Sequence, residues 1–199
     1  KMEMQFKAIA HKFGFVSVHK LKKQIAVKIR DYIQNGGFLF AMCSATDSFD
    51  IALAAQNVDI VSTVYDDSPV DPNYQNKMNY SNSIAFENYN LYTNPLIYEY
   101  STIDVPPSHK PVTKGAEADY FSLFEFSAKW DPVPTMLTQN HVAVINGFMG
   151  QTTGFSRTTL KNHVLIMGEV ENDELVKIQM IQISRCWGLV TARRGAWLI

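Results

Sequence analysis

The stretch from Asn35 to Ala55 constrains the fold more than any other part of the chain. Asn35-Gly36-Gly37 ends a helical pattern, and Phe38-Leu39-Phe40-Ala41-Met42 follows as an unbroken apolar run. Cys43-Ser44-Ala45-Thr46-Asp47-Ser48 is small and polar, and Phe49-Asp50-Ile51-Ala52-Leu53-Ala54-Ala55 returns to helical composition. Glycine tolerates the left-handed conformation that closes a helix, so the first break is sharp. An apolar run of that length after a Gly turn predicts a strand buried on both faces. Thr46, Asp47 or Ser48 is expected to cap a second helix over residues 49–55. Helix, turn, buried strand, tight turn, helix is half of a doubly wound α/β unit, whose ligands bind beyond the carboxyl ends of the strands.

Composition narrows the function classes. The 199 residues carry 18 Lys plus Arg against 19 Asp plus Glu, with 46% hydrophobic and 12% aromatic residues. A disordered chain would have few aromatics and a large net charge. A net charge of −1 offers no general field for phosphates, so nucleic acid is not an expected partner. The apolar runs are far shorter than the roughly 20 residues of a membrane helix, and no membrane insertion is expected. Cys43 and Cys186 make no disulfide framework, and no Cys/His spacing matches a zinc motif.

Elsewhere, Leu21, Ile25, Ile29 and Ile33 fall four apart with Tyr32 beside them, predicting a helix over 17–35 with Lys20, Lys22, Lys23, Lys28, Arg30 and Asp31 on its solvated faces. Residues 59–115 are rich in Asp, Pro, Asn and Tyr and read as a long irregular insertion, lid-like over the site, with short β pieces such as 97–100. Strand-like runs return at 120–127, 141–145, 164–170 and 178–183. After Glu174 no acidic residue occurs, and 175–199 reads as an atypical tail. The chain is expected to be a single partial α/β domain over 1–199, an internal fragment of a larger protein.

Cys43 is the chemical centre. A cysteine between a strand and a helix lies near the positive end of the helix dipole, which lowers its thiol pKa. Backbone N–H groups of Ser44 and Ala45 at such a corner can hold the oxyanion of a tetrahedral intermediate. The geometry is that of a nucleophile elbow, with Ala41 and Ala45 as the small residues two before and two after. A thiol nucleophile needs an imidazole within hydrogen-bond reach. His141 is the candidate base, with Glu125 or Asp131 as orienting carboxylate. His11 and His19 flank the first helix and are expected to be solvated, His109 lies in a Pro loop, and His163 stands near a strand start. Gly147 to Gly154 matches neither the P-loop nor the dinucleotide spacing and reads as a plain loop. Asp66-Asp67-Ser68-Pro69-Val70-Asp71 lacks the EF-hand spacing and reads as a solvated turn. No cofactor and no metal are expected; the expected partner is a small-molecule substrate or ligand.

The run from Gly36 to Asp50 resembles the elbow of the class I glutamine amidotransferase-like superfamily. More narrowly, Asp71-Pro72-Asn73-Tyr74-Gln75, Phe126-Ser127-Ala128-Lys129-Trp130-Asp131-Pro132, Gln139-Asn140-His141 and Gly147-Phe148-Met149-Gly150-Gln151-Thr152-Thr153 are similar to a family of bacterial proteins that often carry the automated label asparagine synthetase B. The resemblance spans roughly residues 1–168. It implies a flavodoxin-like, mostly parallel sheet with Cys43 at the elbow, and a cysteine-dependent amide hydrolase or amidotransferase. Other readings are a non-catalytic small-ligand-binding domain of the same fold, and the glutamine-dependent asparagine synthesis of the label. It also implies export to the periplasm, with a cytoplasmic location as the alternative. This chain departs from the superfamily in having Ala41 and Ala45 where Gly is usual, and in lacking the His-x-Glu that completes the triad near the end of the domain. Little turnover is therefore expected of these 199 residues alone.

Overall fold

The computed structural model describes residues 2–42, 45–94, 96–97, 100–103, 120–123, 144–146, 155–171, 177–182 and 189–192. Five helices, α1 (Met2–Lys12), α2 (Val18–Gln34), α3 (Ala45–Ala54), α4 (Thr63–Asp66) and α5 (Tyr74–Lys77), occupy the first 77 residues. Interleaved with and following them are strands β1 (Leu39–Met42), β2 (Tyr120–Leu123), β3 (Val144–Asn146), β4 (Leu165–Glu171), β5 (Lys177–Gln182) and β6 (Leu189–Ala192).

The breaks follow local chemistry. α1 ends before Gly14, and α2 before Gly36, both with positive φ (81° and 96°) that a side chain would resist. The Asn35 side chain donates to the Asp31 carbonyl (2.7 Å), helping to close α2. α3 starts at Ala45, four residues earlier than its apolar pattern suggested, so Thr46, Asp47 and Ser48 form its first turn instead of a cap. Asp47 suits that place, because a carboxylate interacts favourably with the positive end of the helix and also accepts the Ser48 N–H (3.0 Å).

Which face of α2 is covered differs from the periodic reading. Lys23, Ala26 and Ile33 are its buried residues, whereas Ile25 is 48% exposed and Tyr32 59%. The Lys23 ammonium, expected in solvent, donates to the Val58 carbonyl, and the Gln56 side chain donates to the Lys23 carbonyl (3.1 Å). Burial holds the Lys23 amine below its ordinary pKa, against the pull of Asp59 and Asp71.

The strands form one six-stranded sheet in the order β1-β6-β5-β4-β2-β3. β1 pairs with β6 in parallel, Leu39 opposite Leu189 and Met42 opposite Ala192. The other pairs among the described strands (β6–β5, β5–β4, β4–β2 and β2–β3) are antiparallel, and the β4–β5 register shifts around Gly168. β1 is an outer strand of this order; Phe38, just before it, is 52% exposed and Leu39 and Phe40 are half-buried, so its faces are covered only in part, while Ala41 is buried.

The core is built on α3. Ile51, Ala54 and Ala55 pack with Met78, Ala85, Phe86, Tyr89, Leu91, Ile103 and Phe155. Phe86 and Phe155 meet at 5.1 Å between ring centres, and Tyr80 meets Tyr89 edge-on at 4.9 Å. Each such aromatic side chain removed from water contributes about 1.5–3 kcal/mol. The polar-looking stretch after residue 59 therefore contributes to the core, because Phe86, Tyr89, Leu91 and Ile103 turn inward while Asn, Gln and Ser groups satisfy the irregular backbone. Gln75 does much of this: its amide donates to the Tyr80 hydroxyl (2.7 Å) and the Tyr89 carbonyl (2.8 Å) and accepts from the Leu91 N–H (2.9 Å).

Candidate functional site

Two neighbourhoods carry chemistry. The first is the junction of β1 and α3. β1 ends at Met42 and α3 begins at Ala45, and α3 lies against β1. Ala45 is exposed at the first position of the helix, where N–H groups have no acceptor within the helix. Cys43 and Ser44, between the two elements in the chain, lie outside the described residues, as do Glu125, Asp131, His141 and the loop from Gly147 to Gly154. Of the expected site residues, Ala45 alone is described.

Behind this junction α3 is anchored by Asp50. Its carboxylate is buried and accepts three successive backbone N–H groups, from Ile84 (2.8 Å), Ala85 (2.6 Å) and Phe86 (2.8 Å). Burial pushes its pKa up, outweighing those three bonds and the Lys161 charge. Lys161 itself donates to the Tyr80 and Ser83 carbonyls (2.6 Å each), so the 80–86 segment is tied to α3 by Asp50 and to residue 161 by its ammonium.

Alongside α3 runs a cavity of about 370 Å³ whose wall includes Ser48, Ile51 and Ala52 from the helix and Leu91, Tyr92 and Tyr100 opposite. It is mostly apolar with a few polar groups, and its size is that of a small-molecule pocket.

The second neighbourhood lies at the start of α2. His19 was expected in solvent, yet its side chain is only 12% exposed, because α4 and the loop before it close over the first turn of α2. Its Nε2 faces Asp59 Oδ2 at 3.6 Å and Asp66 Oδ2 at 3.8 Å, too far for hydrogen bonds. Burial lowers the His19 pKa despite the two carboxylates, with Lys23 adding to the lowering. Sequence reading missed this group because Asp59 and Asp66 stand in an irregular segment with no helical or metal-motif spacing to His19. The remaining described histidines are surface groups: His11 is exposed in the last turn of α1, and His163 is exposed and bonded to the Ile84 carbonyl (2.8 Å).

No protein-family model, no curated protein and no solved structure matches this chain. Among the described residues no helix is long and apolar enough to cross a membrane.

Proposed function

We propose that the intact protein is a cysteine-dependent amide hydrolase or amidotransferase of the class I glutamine amidotransferase-like kind, built on a flavodoxin-like α/β domain, with Cys43 as nucleophile. The observation that carries this reading is the spacing of β1 and α3: only Cys43 and Ser44 stand between the last residue of the strand and the first of the helix. A strand-to-helix link that short is what a nucleophile elbow requires. The parallel β1–β6 pair supports the α/β part of the reading, and the antiparallel strands extend the sheet beyond β6.

In this reading the Cys43 thiolate attacks the amide carbonyl carbon, and backbone N–H groups of Ser44 and Ala45 hold the resulting oxyanion. Collapse breaks the C–N bond as an imidazole, for which His141 is the candidate in this chain, protonates the leaving nitrogen. Water then hydrolyses the thioester and restores the thiol. The test is the pH dependence of Cys43 alkylation by iodoacetamide in a Cys186→Ser background. A half-maximal rate well below the ordinary cysteine value of about 8.5 supports the nucleophile. A midpoint at or above that value refutes it. Amide hydrolysis abolished by Cys43→Ala would extend the reading to turnover.

The cavity beside α3 favours a second reading, a non-catalytic domain binding a small, largely apolar ligand against Tyr92 and Tyr100. Ligand binding that survives Cys43→Ala, together with an ordinary Cys43 pKa, would select it.

A further inference from the structure

His19, Asp59 and Asp66 converge without satisfying one another. One ligand atom from each lies within 4.8 Å of the other two, and the side chains are only 12%, 20% and 10% exposed. A histidine and an aspartate that serve only each other close to about 2.8 Å. Here the imidazole stands off from both carboxylates, and Asp66 Oδ2 is buried with no hydrogen-bond partner. Of four buried side-chain polar atoms left without a partner among the described residues, three (Ser17 Oγ, His19 Nδ1 and Asp66 Oδ2) belong to residues lining one cavity of about 670 Å³. A buried orphan polar atom is costly, and such a group signals an ion, a water or a functional role.

The two carboxylates are braced. Ser68 ties the two carboxylates together, its hydroxyl donating to Asp59 Oδ2 (2.9 Å) and its N–H to Asp66 Oδ1 (3.2 Å). Asp59 Oδ1 accepts the Val61 N–H (3.0 Å), and the nearby Lys23 ammonium is engaged by the Val58 carbonyl. Orientation of ligating carboxylates by such outer hydrogen bonds is the usual support of a metal centre. The two His–Asp separations are a few tenths of an ångström longer than the ~3.4 Å edge of a tetrahedral site with bonds of ~2.1 Å, and all three ligand atoms lie within 4.8 Å of one another.

We propose that His19 Nε2, one oxygen of Asp59 and one of Asp66 bind a divalent transition-metal cation of the zinc type, with the remaining coordination open to the cavity. One imidazole and two carboxylates neutralise a dication, and imidazole selects zinc-like ions over magnesium or calcium. Three protein ligands with an open position is the arrangement of a reactive site, not of a closed structural one. The site stands independently of Cys43.

The test is Zn²⁺ titration of the metal-stripped 199-residue chain by competition with a chromophoric chelator, with Co²⁺ absorption as the spectroscopic readout. One equivalent should bind with a dissociation constant at or below about 1 μM. Asp66→Asn and His19→Gln should each weaken binding by more than the ~10–100-fold typical of losing a supporting residue. Asp67→Asn, on an exposed neighbour that pairs with Lys7 (3.3 Å), should leave it unchanged. Far-UV circular dichroism checks that each variant is folded, and if one is not, the other carries the comparison. The proposal is overturned by no saturable binding below about 100 μM, by equal affinity in the folded variants, by displacement of Zn²⁺ by equimolar Mg²⁺, or by a thiolate-to-cobalt charge-transfer band.

Discussion

Replacing Asp50 tests how α3 is held. Its carboxylate is the sole acceptor shown for the N–H groups of Ile84, Ala85 and Phe86, and Ala85 and Phe86 are themselves fully buried. Asp50→Ala would strand those two donors at about 1–3 kcal/mol each. Ile84 is half-buried, so water can reach its N–H. Relief of the buried charge offsets part of the loss, leaving a destabilisation of about 3 kcal/mol. For a chain of this size that lowers Tm by about 6–12 °C. Asp50→Asn should cost only about 1 kcal/mol, because one oxygen at the Oδ2 position can still accept both Ala85 and Phe86 while the amide faces the wetter Ile84. The pH dependence has a definite sign. Burial raises the folded-state pKa above the ordinary 3.8, so the folded chain binds the proton more tightly than the unfolded one. The contribution of Asp50 to stability is therefore greatest below pH 3.8 and declines as pH rises from there through the raised value; Asp50→Asn removes that decline. Urea unfolding followed by far-UV circular dichroism at several pH values measures all three chains. Asp50→Ala within about 1 kcal/mol of the parent, or Asp50→Asn weaker than Asp50→Ala, would refute the reasoning.

Further outcomes follow from the same physics. Gly36→Ala should cost about 1–2 kcal/mol, since φ is +96° there and a Cβ is strained whatever the space around it. Gly37→Ala should cost less, because the atoms nearest the new Cβ belong to the Tyr32 ring, whose side chain is mostly exposed and can swing aside; urea midpoints decide the order. Lys161→Met should lose about 1–3 kcal/mol by leaving the Tyr80 and Ser83 carbonyls without their cation, read by the same unfolding curves and by faster amide exchange across residues 80–86.

The chain's local order was legible where neighbours in sequence decide it. Gly36 ends a helix because glycine adopts its backbone angles cheaply, and the apolar run from Leu39 to Met42 becomes a strand directly before a helix. Those breaks also mark Cys43 as the residue to test. Tertiary structure decided what covers each surface. Periodicity offered Ile25 to the core along with Ile33, but the turn after α3 brought the Val58 carbonyl and Gln56 to Lys23, so Lys23 is buried on α2 and Ile25 is not. Asp50 looked like any helical acid until residues 84–86 arrived with three N–H groups. His19 read as a solvated helix-start residue until a segment forty residues later closed Asp59 and Asp66 around it. Helical period and backbone chirality are properties of a few adjacent residues and survive in the sequence. The pairing of a buried charge with its acceptors depends on which distant segment packs there, and that is set only when the whole chain competes to bury its apolar surface.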